Sequence, residues 1–169
     1  MNISPDTTNL HVGAAVDEDS LTAEPTKLNS TFYNVQGNYK TMQFAWFHKD
    51  WEKATLSTLF INNGVQSPAD SSVNFSQTIG VYGTKMIGGT SLEYDAYYQF
   101  GKNQTGKDLG AYMFAVNATF WKAKPNNLSI GVEYLTGDKS STANKDEAFN
   151  PLYGTHHKFY GFMDYFYVG

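Results

Sequence analysis

Apolar and polar residues alternate at period two over residues 40–48, 91–100, 110–121 and 128–135, and no stretch is long or apolar enough for a membrane-spanning helix. Such alternation predicts β-strands with two unlike faces. Over residues 91–100 one face takes Leu92, Tyr94, Ala96, Tyr98 and Phe100, and the other takes Ser91, Glu93, Asp95, Tyr97 and Gln99. The first face suits lipid or a core, the second water. A wide, water-filled membrane barrel requires this pairing of mid-strand carboxylates with an apolar reverse side.

Extending the pattern predicts strands at 10–16, 39–48, 54–63, 73–83, 90–101, 109–121 and 127–137. The connectors at 49–53, 84–89 and 122–126 read as tight turns. Those at 17–40, 64–72 and 102–108, and everything after 138, are richer in Ser, Asn, Asp, Gly and Lys and read as longer loops on the opposite rim. An outer-membrane barrel sorts its connectors in this way, short on the periplasmic side and longer outside. Strand length agrees, since ten to twelve residues at about 3.3 Å each, tilted by roughly 45°, cross about 25 Å of hydrocarbon. Two girdles of rings can be drawn, with Trp46, Trp51, Tyr82, Phe120 and Trp121 beside the tight turns and Tyr98, Phe100, Tyr112 and Tyr134 toward the other rim. Two strands fit less well: the faces of 54–63 are too balanced to assign, and Gln77 interrupts the apolar set Val73, Phe75, Ile79 and Val81.

Composition narrows the function. The aromatic share is 16% against 17% charged residues, with 12 Tyr and 12 Phe, so much amphipathic ring surface must be placed. A formal net charge of −4, with every cation a lysine, argues against a nucleic-acid partner and removes guanidinium forks for phosphate. With no cysteine there is no disulfide framework and no thiolate chemistry. The opening MNISPDTTNL has neither a basic nor an apolar signal region, so an outer-membrane reading expects a processed chain or an internal piece.

The segments TFYNVQGNYKTMQFAWFHKDWEKATLSTLFINNGVQ and AFNPLYGTHHKFYGFMDYFYVG resemble the alginate-export family of outer-membrane barrels, in the form found in Bacteroidetes-type bacteria. The resemblance spans most of residues 31–169, and its most specific part is NPLYGTHHKFYGFMDYFY. It implies a many-stranded antiparallel pore in the bacterial outer membrane that passes a polysaccharide or other solute by diffusion. The family pore is considerably larger, so residues 1–169 are expected to form one fragment of an all-β, antiparallel up-and-down transmembrane barrel. One departure matters. An alginate exporter should attract a polyanion, whereas the lumen-facing set here carries Glu93, Asp95 and Glu133 with no cation opposite, which favours a general porin.

The residues expected to line the pore are Gln43, Glu93, Asp95, Gln99, Asn117, Thr119 and Glu133, each supplying hydration or field rather than chemistry. Residues 138–169 begin polar and turn dense in rings, which predicts a loop folding over or into the pore; Tyr153, His157, Phe159 and Tyr160 are its constriction candidates. Other constellations read blandly. His156 and His157 would point to opposite faces of an extended segment, a poor geometry for one metal. Glu93 and Asp95 share a face and could do acid–base work, but a solvated cation-attracting wall needs nothing more than their charge. Asp138, Asp146 and Glu147 lack calcium-loop spacing. Asn-x-Ser/Thr tripeptides such as the one at Asn103 read as chance matches, since Asn117 falls mid-strand. No enzyme activity, cofactor or metal is expected; the partners are outer-membrane lipid and a hydrophilic solute. The competing expectation is a soluble carbohydrate-binding β-sandwich or small barrel, whose apolar face would be an internal core.

Overall fold

The structure is a computed structural model that describes residues 6–16, 39–67, 69–70, 72–122, 125–139 and 141–152. These residues form one up-and-down antiparallel sheet, with no helix among them. Its strands are β1 (Thr8–Val16), β2 (Thr41–Trp51), β3 (Ala54–Gln66), β4 (Val73–Ile87), β5 (Thr90–Lys102), β6 (Asp108–Phe120) and β7 (Leu128–Leu135), each hydrogen-bonded to the next in chain order. A short β8 (Lys145–Asp146) pairs in parallel with Asp108 and Leu109 of β6. Among the described residues β1 and β7 each pair on one side only, so the sheet is not closed.

Strands β1 to β5 run longer than the pattern predicts, β6 equals it in length and β7 falls short of it. β4 has 15 residues and β5 has 13, against the five or six or so of a typical soluble strand. Cross-strand pairing carries the ladder into what reads as connector, leaving two-residue turns at 52–53 and 88–89. Sorting by connector length is correspondingly weaker than expected, because the β6–β7 connector at 121–127 is no shorter than those at 67–72 and 103–107. In the 103–107 loop the side chain of Asn103 does the work of a turn, its Oδ1 accepting from the N–H groups of Thr105 at 3.0 Å and Lys107 at 2.9 Å. At its mouth Lys102 and Asp108 form an ion pair at 2.6 Å.

Register settles which residues share a face, because a pairing fixes the side of every residue in both strands. Leu10, Val12, Phe47, Phe60, Phe75, Ile79, Tyr94, Tyr98, Phe100, Tyr112, Phe114, Val116, Ile130, Val132 and Tyr134 all fall on one side. Every large hydrophobic that is exposed within a strand belongs to this side. The opposite side is the sheltered one, holding Asn63, Thr78, Ser91, Asp95 and Gln99 at 3–7% exposure. A soluble sheet hides its apolar face and shows its polar one; here the exposure is reversed.

Two rings show how local sequence serves this arrangement. Tyr97 on the sheltered side lies across Gly80, and Tyr94 on the apolar side lies across Gly83. A side chain at either glycine would occupy the same space as the ring, so each Gly–Tyr pair trades a missing Cβ for a flat aromatic cover on the next strand.

Candidate functional site

The sheltered face is not uniformly polar, and its two halves differ. Toward the 52–53 and 88–89 turns the rows across the sheet are polar. One row runs Asp50, Thr55, Thr84, Glu93 and Asn117; the next runs His48, Ser57, Tyr82, Asp95, Ala115 and Glu133. Toward the other rim the rows carry Trp46, Leu59, Tyr97, Met113 and Leu135, then Phe44, Ile61, Thr78, Gln99 and Ala111.

The polar half is a connected surface. The Tyr82 hydroxyl donates to Glu93 Oε1 at 2.8 Å. His48 joins Ser57 through Nδ1 at 2.7 Å and Asp50 through Nε2 at 2.9 Å. Thr55 and Thr84 share a hydroxyl bond at 2.8 Å, as do Thr119 and Ser129. A cavity of about 300 Å³ is lined by Glu93, Asp95, Asn117 and Glu133, with Ala115 and Gly131 as its floor. Among the described residues no trio of His, Cys, Asp or Glu could hold a metal ion. The arrangement can hydrate a solute and set a negative field, and it also places the Ser57 hydroxyl on one ring nitrogen of His48 with Asp50 on the other.

Over β5–β7 the apolar half is covered by the chain itself. After β7 the backbone passes β8 and returns over the sheltered face, where Phe149 is 5% exposed against Ala111 and Met113, with Tyr97, Leu109, Ala115 and Leu135 around it. The Phe149 N–H donates to the Thr136 carbonyl at 2.9 Å, and Asn150 meets the Gln99 amide in two bonds at 2.8 and 3.0 Å. Residues 147–150 therefore form a strap laid from β7 toward β5. The acids weighed as a calcium loop are its fasteners: Asp138 accepts from the Glu147 N–H at 3.2 Å, and Asp146 accepts from Asn103 Nδ2 at 2.8 Å.

Of the seven pore-lining candidates, Glu93, Asp95, Gln99, Asn117, Thr119 and Glu133 come together on the sheltered face. Gln43 does not. It shares the opposite face with Ala45 and Phe47, because its register partners are Ala14 and Asn62. There it enters a ladder of amides: Gln43 Nε2 donates to Thr41 Oγ1 at 2.7 Å, Asn62 Nδ2 to Gln43 Oε1 at 2.6 Å, and Gln77 Nε2 to Asn62 Oδ1 at 2.7 Å. This ladder explains the interruption at Gln77. Trp46 and Tyr82 also depart from the expected girdle, since both lie on the sheltered face, where Trp46 stacks on His48 at 5.3 Å. Tyr98, Phe100, Tyr112 and Tyr134 do lie on the exposed apolar face, stacked in pairs. The constriction candidates Tyr153, His157, Phe159 and Tyr160, together with His156, lie outside the described residues.

Sequence reading missed Asn150 and the amide ladder, and it did not single out Phe149 within the loop expected to fold over the pore. Phe149 stood in the text as one ring among many, and nothing local marks where a loop will dock. The ladder had a signal, three amides at positions that should have been apolar, which only the register between strands joins up. Comparison with family models, with characterised proteins and with solved structures finds no match for this chain.

Proposed function

We propose that this chain forms part of the wall of a porin-like β-barrel channel in a bacterial outer membrane, passing a hydrophilic solute by diffusion. The observation that carries the reading is the reversal of exposure: full-length strands show lipid-compatible side chains outward and shelter carboxylates, amides and hydroxyls on the other face. Leaving the row of Tyr98, Phe114, Val116, Val132 and Ile130 in water would be costly, and hydrocarbon removes that cost. In this reading the pore side offers Glu93, Asp95, Asn117, Thr119 and Glu133, and the strap at 147–150 narrows the passage. The carboxylates would repel a polyanion, which favours a general porin over an exporter of alginate-like polymers.

The test is refolding of the purified chain in plain buffer and in detergent, followed by far-UV circular dichroism and size exclusion. A monodisperse β-rich species in detergent alone supports the channel reading. A compact, cooperative β protein in buffer alone contradicts it and favours a soluble carbohydrate-binding domain whose apolar face is an internal core.

A further inference from the structure

Apart from Asp108, which pairs with Lys102, the charged residues of β2–β7 are sorted by face. Asp50, Glu93, Asp95 and Glu133 lie on the sheltered side, while Lys49, Lys85 and Lys102 lie on the apolar side near strand ends. Lys102 is neutralised at its own rim by Asp108. Lys49 and Lys85 sit together at the rim of the 52–53 turn, and no carboxylate of β2–β7 shares their face there.

Their setting is specific. Trp51, Ala54 and Lys85 occupy one row across β2, β3 and β4, and Lys49, Leu56, Gly83 and Tyr94 occupy the adjacent row. With strands about 4.8 Å apart, the two lysine Cα atoms stand roughly 10–12 Å from each other, a span that two lysine arms close onto one phosphate. The Lys49 ammonium lies over the Trp51 ring, 5.3 Å from its centre, which keeps it at the surface beside an exposed indole. The phenol end of Tyr94 lies over the bare backbone of Gly83, on β4 two residues from Lys85 and in the row of Lys49, adding a hydroxyl beside the lysines. The nearby acids are engaged elsewhere: Asp50 accepts from Thr7 and contacts His48, and Glu93 accepts from Tyr82, all off this face. Glu52 and Lys53 in the turn add one charge of each sign.

Resting on the membrane reading above, we infer that Lys49, Lys85, Trp51 and the Tyr94 hydroxyl form a seat for the headgroup of an anionic phospholipid at the tight-turn rim of the apolar face. The occupant is assigned by charge and shape together. An indole and a phenol mark the depth of a membrane interface, and two unneutralised ammonium groups at that depth complement a phosphodiester bearing net negative charge. Lipid lies against this face, so the phosphate comes from the bilayer.

The experiment uses the full chain refolded into vesicles of phosphatidylcholine alone and of phosphatidylcholine with phosphatidylglycerol, read by co-sedimentation and tryptophan fluorescence. At low salt the expected preference for the phosphatidylglycerol vesicles is roughly fivefold per lysine. It should fall toward unity in K49Q/K85Q, persist in K139Q/K145Q, and survive millimolar inorganic phosphate. Equal partition of the wild type into both vesicles overturns the seat and leaves the membrane reading standing. Partition into neither overturns both. Should K49Q/K85Q fail to fold in detergent, salt dependence of the wild type decides: loss of the preference at high ionic strength supports the seat, and an unchanged preference overturns it.

Discussion

Gln99 and Asn150 pair as two strands would. The Gln99 side chain donates from Nε2 to the Asn150 carbonyl at 2.8 Å and accepts the Asn150 N–H on Oε1 at 3.0 Å, so one side-chain amide stands in for a strand's backbone. Gln99 is 3% exposed and Asn150 is exposed, so both bonds lie at the edge of the sheltered region. Beside them Phe149 fills the space over Ala111 and Met113. Replacing Gln99 by leucine removes both bonds and leaves Asn150 unpartnered at that point, at a cost of about 1–3 kcal/mol for docking of the strap. Phe149→Ala should cost about 3 kcal/mol through the cavity it opens. Limited proteolysis within residues 137–150 measures both; cleavage should accelerate in each variant while far-UV circular dichroism of the sheet is unchanged. Cleavage at the wild-type rate would show that the strap is not held by these contacts.

The amide ladder on the apolar face makes a prediction of opposite signs. Asn62 both donates to Gln43 and accepts from Gln77, so Asn62→Ala leaves two half-paired amides and should destabilise the chain in detergent by about 1–3 kcal/mol. Replacing Gln43, Asn62 and Gln77 together by leucine removes all three amides and should be neutral or stabilising, because only the Thr41 hydroxyl, at the start of β2, loses a partner. Denaturant unfolding of the two variants checks the signs. A triple variant weaker than the single one would mean that the ladder is needed for itself.

In the β3–β4 loop the Ser72 hydroxyl and N–H both donate to Asp70 Oδ1, at 2.8 and 3.1 Å. These bonds, with a further contribution from Ser67, hold the Asp70 carboxyl below its ordinary value. A folded-state pKa below the unfolded one means that the stabilisation is complete above the ordinary carboxylate range. It is lost as pH falls through the lowered value. The protection of the Ser72 amide, its exchange rate relative to the intrinsic rate at each pH, should therefore fall only in that acid window, and Asp70→Asn should flatten the dependence. Exchange at Ser72 that follows the same pH course in both proteins would remove Asp70 as its cause.

How far the fold can be read from the text follows from where period two holds. In β5 and β6 alternation is nearly unbroken from Leu92 to Phe100 and from Tyr112 to Val116, and the strands and their faces emerge as expected. In β3 the two sets are balanced, and its faces are fixed only by pairing, Phe60 with Ile79 and Ser57 with Tyr82. Gln43 shows the limit: a polar residue in an alternating strand is assigned to the polar side by pattern, whereas its neighbours across the sheet place it with Ala45 and Phe47. Ala111 and Met113 are buried by Phe149, from a loop distant in sequence, and no periodicity encodes that contact.

Because the chain contains no cysteine, a single introduced thiol can report its own surroundings. Val132 is 62% exposed on the apolar face, and the next residue, Glu133, lies on the other side of the same strand, lining the acidic cavity. Val132→Cys and Glu133→Cys, each refolded into lipid vesicles and carrying a fluorophore, should separate cleanly. The label at 132 should be quenched by brominated acyl chains and be blind to a water-soluble quencher, and the label at 133 should do the reverse. Equal quenching of both labels from water would contradict a lipid-facing apolar surface, and with it the proposed channel.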